Sequence, residues 1–194
     1  MGKILWLASY PKSGNTWIRL FLVNLLHGQG DAMDINRLGE ATLAEPGTAG
    51  FALLDKRPWQ TWLPREIAML RPRVQEEIAK TGAGVVPVKT HSAFVRDHAI
   101  PTINMAVTMG AVYVVRNPLD IAVSYAHHQG MTVDEILTIM ETSMFRTPTN
   151  GTNVHEVMGS WSEHVASWTS NPSPQLHVMR YEDMLGDAVV AFRE

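Results

Sequence analysis

Apolar residues fall along this chain in two rhythms. Ile4-Leu5-Trp6-Leu7-Ala8 is a short unbroken apolar run, the mark of a buried strand. The stretch Trp17-Ile18-Arg19-Leu20-Phe21-Leu22-Val23-Asn24-Leu25-Leu26 is apolar on nearly every side and predicts a buried helix, ended by His27-Gly28-Gln29-Gly30. Residues 31–63 carry Gly39, Pro46, Gly47, Gly50 and Pro58 and predict a long loop with one short helix. Trp59 and Trp62 in it either line a pocket or, the commoner role, pack the segment onto the core. Pro64 to Lys80 has helical spacing with a break or kink at Pro72.

Val85-Val86-Pro87-Val88 is a second strand, with Pro87 predicting an edge position or a strand end. Ala111-Val112-Tyr113-Val114-Val115 is a third and the clearest. Asn117 then caps a helix, with Pro118 first and Asp120 third inside it, and Gly130 stops it. Thr132-Val133-Asp134-Glu135 forms a capping box for the next helix. Asn153 and Glu156 predict a further start, leading to Trp161, His164 and Trp168 on one helix face. Leu176-His177-Val178-Met179 is a fourth strand. Strands separated by helices predict an α/β fold, a parallel sheet with helices on both faces. Such sheets bind ligands at the C-terminal ends of their strands. Lys12, His91, Arg116 and Tyr181 each follow a strand end, which predicts one shared site.

Composition narrows the classes. The chain has 194 residues, 45% apolar and 18% charged, enough for one domain with a real core, so 1–194 is taken as a single unit. A net charge of −3 disfavours a nucleic-acid partner. The absence of Cys rules out disulfides and thiolate chemistry. No run approaches a membrane span, and Met1–Trp6 fits neither a cleavable signal nor a myristoylation pattern, so no membrane partner and a cytoplasmic setting are expected. Oligomeric state is not legible.

The chemistry gathers at Tyr10-Pro11-Lys12-Ser13-Gly14-Asn15-Thr16-Trp17, between a strand and a helix. Free backbone N–H groups and the helix N-terminus there favour an anion. Gly14 permits close approach, Ser13 and Thr16 add hydroxyls and Lys12 adds a charge. Lys12 precedes Gly14, so the order is not that of a Walker A loop. Taken alone, the segment is equally an ordinary turn before a core helix. Val114-Val115-Arg116-Asn117-Pro118-Leu119-Asp120-Ile121-Ala122-Val123-Ser124-Tyr125 sets Arg116 beside a helix N-terminus and Ser124 two turns along it, a pair able to hold a phosphate. In isolation Arg116 is as well read as a capping or surface ion-pair residue. His91, in Lys89-Thr90-His91, is placed for general base work, although a structural histidine has the same spacing. None of the eight His shows metal spacing, and no metal is expected.

Together these segments resemble the cytosolic-type sulfotransferases, which use 3′-phosphoadenosine 5′-phosphosulfate (PAPS) and release 3′-phosphoadenosine 5′-phosphate (PAP). Y-P-K-S-G-N-T-W is similar to their donor loop, where Thr is usual at Asn15. R-N-P-x-D-x-x-x-S-Y is similar to their 3′-phosphate motif and K-T-H to the segment with the catalytic base. Gly159-Ser160-Trp161-Ser162-Glu163-His164-Val165 and Arg180-Tyr181-Glu182-Asp183-Met184 follow in the family order. The resemblance covers about Trp6 to Met184 and implies a P-loop-like sheet and sulfuryl transfer from PAPS to a small-molecule hydroxyl or amine. It implies His91 as base, Lys12 and Lys89 in catalysis, and Lys12, Ser13, Gly14, Asn15, Thr16, Trp17, Arg116, Ser124 and Tyr181 on the donor, with Trp17 on adenine. The family's later basic R-K-G loop is not found before Glu194, which puts a complete donor pocket in question. A P-loop nucleotide kinase and a non-catalytic nucleotide-binding relic stay open as alternatives.

Overall fold

Lys3–Ser9 forms the central strand β1, and its alternating side chains explain both layers of the fold. Ile4, Trp6 and Ala8 point into one core with Val86, Val88, Tyr113 and Trp168, while Leu7 points into another with Ile18, Val114, Met179 and Met184. The computed structural model describes residues 2–27 and 33–193. In chain order β1 is followed by α1 (Asn15–His27), α2 (Leu38–Ala41), β2 (Leu43–Ala44), α3 (Thr48–Leu54), α4 (Pro64–Lys80), β3 (Val85–Thr90), β4 (Arg96–Asp97), β5 (Ile100–Pro101) and β6 (Thr108–Val115). Then come α5 (Pro118–Gln129), α6 (Val133–Glu141), α7 (Trp161–Thr169), β7 (Leu176–Arg180), α8 (Tyr181–Gly186) and α9 (Ala188–Ala191).

Five strands pair in the order β2-β3-β1-β6-β7, every neighbour parallel. Helices cover both faces, as the alternation of strands and helices predicts. The register brings the strand ends level: Ala8 lies opposite Thr90, Ser9 opposite Val114, and Val115 opposite Arg180. The loops that follow these strands therefore open at one rim.

Several details depart from the sequence expectation. Residues 33–63 are not one loop but hold α2, β2, α3 and two 3-10 turns. Short elements there lack the length to show a period. β2 flanks β3, so β3 is not the edge strand. β2 reaches only Val88 and Lys89, however, so Pro87, which lacks a donor, still faces no partner on that side. α4 runs unbroken through Pro72, whose carbonyl takes an Asn104 side-chain bond at 3.2 Å. No helix starts at Asn153 or Glu156; α7 begins after Ser160, whose hydroxyl accepts from the Glu163 N–H in a capping box. Trp62 is buried against Phe51, so packing is its role. α1 is described as far as His27, and Gly28-Gln29-Gly30 of its expected stop lie outside the described residues. Asn117, Gly130 and the Thr132 capping box act as expected.

A buried ion pair stitches this framework. Arg71 of α4 meets Glu45 at 2.6 Å and donates to the His155 carbonyl at 2.6 Å. His155 in turn bonds Asp97 at 2.7 Å, and Arg146 holds the other Asp97 oxygen at 2.7 Å. Removing one partner of such a pair costs about 3–5 kcal/mol, because the other charge is left enclosed. The segment just before Glu156 is fixed by this network.

Candidate active site

The loop after β1 is shaped by two unusual backbone positions. Lys12 has φ 65° and Gly14 φ 103°. A Cβ at Gly14 would stand 2.6 Å from the Tyr181 ring, so the loop tolerates only glycine there. Asn15 explains how the turn is tied down: its side-chain amide donates to the Leu7 carbonyl at 2.8 Å and to the Ser9 hydroxyl at 3.3 Å. α1 then starts at Asn15, leaving its first backbone donors aimed at the rim. Ser13 Oγ is buried with no partner, and the Thr16 side chain is exposed. Trp17 is half-buried, edge-on to Tyr181 at 6.1 Å and to Phe192 at 6.3 Å.

His91, one residue past β3, is held at three points. Its ring Nδ1 lies 2.7 Å from the Ser9 carbonyl. A carbonyl only accepts, so Nδ1 carries the proton and Nε2 keeps the lone pair. The His91 backbone N–H donates to Glu156 Oε1 at 2.6 Å, and its carbonyl accepts from His164 Nε2 at 3.1 Å. The same logic makes His164 Nδ1 an acceptor for the Tyr113 hydroxyl, 2.9 Å away. Burial, and then the Lys89 charge, hold His91 well below the ordinary histidine range, so the ring is neutral at pH 7. Burial also takes His164 down to about 3.

Arg116 and Tyr181 bring the remaining strand ends together. Arg116 Nη1 donates to the Lys12 carbonyl at 2.8 Å, and its guanidinium stacks 4.2 Å above the Tyr181 ring. Its Nε is buried without a partner. Glu182 accepts the Asn117 backbone N–H at 2.8 Å. The R-N-P and Y-E-D segments thus clamp each other and the β1 loop. Ser124 is half-buried on α5, with its hydroxyl free among the described residues.

Lys12, Lys89 and His91 line one open cleft of about 470 Å³, with Tyr125, Phe145 and Met158 as its apolar wall. The unpartnered Ser13 hydroxyl and Arg116 Nε, with the first amides of α1, are fitted to a phosphate-bearing ligand at the rim. Ser9, Glu156 and His164 are site residues that sequence patterning misses. Ser9 contributes a carbonyl, which has no signature, and Glu156 reads as a helix start. Among the described residues no group of three His, Cys, Asp or Glu is arranged to hold a metal, and no helix is long and apolar enough to cross a membrane.

Residues 3–193 match the family model described as Sulfotransferase domain. Sulfotransferase 1C2 of rabbit (Oryctolagus cuniculus) is 29% identical over 196 residues, covering 98% of this chain and 56% of that protein. Its human (Homo sapiens) counterpart is 29% identical over 189 residues, with 94% and 54% covered. The chain therefore spans about half the length of the curated relatives it matches. Retinol dehydratase, solved in complex with androsterone and inactive cofactor PAP, superposes with a TM-score of 0.58 at 18% identity, over 95% of this chain and 56% of that one. A mouse sulfotransferase complexed with PAP gives 0.51 at 21% identity, over 98% and 55%. These structural likenesses show the shared fold.

Proposed function

The chain belongs to the sulfotransferase domain family, and from that premise we propose that it moves a sulfuryl group from PAPS to a hydroxyl or amine of a small molecule. The observation that carries this is the tautomer of His91: with Nδ1–H spent on the Ser9 carbonyl, Nε2 is left as a base in the cleft beside Lys12 and Lys89. His91 Nε2 takes the acceptor proton as the acceptor oxygen or nitrogen bonds to sulfur. The sulfur–oxygen bond to the 5′-phosphate breaks, and its electron pair stays on the phosphate oxygen. Lys12 and the first amides of α1 stabilise that growing charge, and Lys89 contacts the sulfuryl group. The products are the sulfated acceptor, PAP and a proton on His91.

Support for the donor side lies in the unpartnered Ser13 hydroxyl and Arg116 Nε, with Gly14, Asn15, Thr16 and Trp17 completing the loop and Tyr181 backing it. Ser124 completes a 3′-phosphate contact in this scheme. The proposal includes action in the cytoplasm, by likeness to the cytosolic-type enzymes. The test is turnover with PAPS over a panel of phenols, alcohols, amines and sugars, in EDTA. His91→Ala should abolish turnover while melting temperature and PAP affinity stay near wild type. Near-normal turnover removes His91 from the chemistry, and activity that needs added Mg²⁺ favours a nucleotide kinase.

A further inference from the structure

Glu156 lines the same cleft as His91, Lys12 and Lys89 and is only 7% exposed. Its Oε1 is occupied by the His91 backbone N–H at 2.6 Å. Glu45 and Asp97, the other enclosed carboxylates of this region, are paired with Arg71 and Arg146. Among the described residues no cation lies within ion-pair distance of Glu156. Its Oε2 takes no hydrogen bond among them either, yet is not sealed inside the protein, so it opens into the cleft. Enclosing a carboxylate is costly unless donors meet it. The Glu156 backbone is fixed, since its own N–H is bonded to Thr147 Oγ1 at 2.8 Å and its neighbour His155 is locked to Asp97, and the carboxylate is tethered through Oε1 to the His91 N–H.

We propose that Glu156 selects the acceptor, by taking a hydrogen bond from a second donor on the molecule that carries the reacting hydroxyl. This rests on the sulfotransferase function proposed above. Oε1 is bonded to the main chain of the base itself, so Oε2 stands beside the reacting group and not at the far end of the cleft. The acceptor in this proposal bears its second O–H or N–H close to the reacting oxygen, in the nearest case on the adjacent atom. Its apolar ring lies against Phe145 and Ile139. Catechol is the simplest such molecule. Guaiacol, its methyl ether, keeps the ring and the reacting hydroxyl but turns lone pairs toward the carboxylate.

Calorimetric titration of both phenols into the protein–PAP complex tests this. Catechol should bind roughly 10–100-fold more tightly than guaiacol, the usual range for losing a hydrogen bond to an enclosed charge. 2-Aminophenol beside catechol tells an N–H donor from an O–H donor, and either one exceeding guaiacol supports the assignment. Glu156→Gln keeps an oxygen for the His91 N–H and turns an amide NH₂ into the cleft, so the ratio should fall to about one or reverse. Equal affinities in the wild-type protein overturn the proposal without any variant. So does a preference that survives Glu156→Gln, or the failure of all three phenols to bind. Affinity for PAP alone, read beforehand, separates the two claims: failure to bind PAP counts against sulfuryl transfer, while normal PAP binding without discrimination counts against Glu156 alone.

Discussion

Arg116→Ala should weaken PAP far more than AMP, and the geometry says by how much. In the proposed donor site Arg116 does two jobs. Through Nη1 it braces the β1 loop at the Lys12 carbonyl, and the proposal gives the rest of its guanidinium to the 3′-phosphate. Losing the brace costs roughly 1 kcal/mol for the hydrogen bond and about 0.5–2 kcal/mol for the stack on Tyr181. That loss falls on the loop, so it weakens PAP and AMP alike. Losing a charged contact to the 3′-phosphate costs about 1.5–3 kcal/mol more, roughly 10–150-fold, and falls on PAP alone. Ser124→Ala should cost PAP a few-fold and leave AMP unchanged. Calorimetric titration of both nucleotides against wild type, each single variant and the double variant reads the two jobs apart. If the PAP-to-AMP ratio is the same in all four proteins, Arg116 is only a brace, and the 3′-phosphate contact is refuted however far both affinities have dropped.

Lys12→Met should lower kcat by about 10²–10³ while PAP affinity changes little, because in the proposed reaction its charge meets one that grows only during transfer; a loss confined to binding would make Lys12 a simple anchor. Acid should both inactivate and destabilise the protein. The acid limb of kcat/KM, which reports the free enzyme, should lie below pH 6.5, since burial and Lys89 hold the His91 ring neutral, and a limb at or above 6.5 contradicts that environment. His91, His155 and His164 are all lowered by burial, so between pH 6.5 and their folded values the unfolded chain binds more protons and stability falls as pH falls. His164, taken down to about 3, should by itself cost about 2 kcal/mol at pH 5; denaturant midpoints that match at pH 7 and pH 5 would rule this out.

Most of the sheet was legible because its strands carry short runs rich in apolar and β-branched residues: β1 and β6, at the centre, are nearly all apolar and mostly buried, while β3 and β7 keep enough of the pattern despite Pro87 and His177. β2 was not, since two residues pairing with Val88 and Lys89 carry no period. The α7 start was misplaced because Asn153 and Glu156 have the spacing of a cap, while Glu156 is bonded to His91 across the fold. Which side chains follow the strand ends is legible from order alone, and the register brings Lys12, His91, Arg116 and Tyr181 to one rim. What holds them is not legible from order. The Ser9 carbonyl that sets the His91 tautomer is main chain, and the Arg116 stack on Tyr181 joins residues far apart in sequence. Asn15 shows the limit from the other side. It departs from the family's usual Thr, yet its amide reaches back to the Leu7 carbonyl and ties the loop.

The central place of β1 has a consequence for how the protein is made. β1 is flanked by β3 and β6, both of which leave the ribosome long after it. At about 5–20 residues per second, roughly 4–20 s pass between the completion of Ser9 and that of Thr90 and then Val115. Until Thr90 is made both edges of this apolar ribbon are unpaired, and until Val115 is made one of them still is. Newly made chains should therefore lean on holdase chaperones, and slowing synthesis between Ser9 and Val115 should lower the yield of soluble protein more than slowing it afterwards.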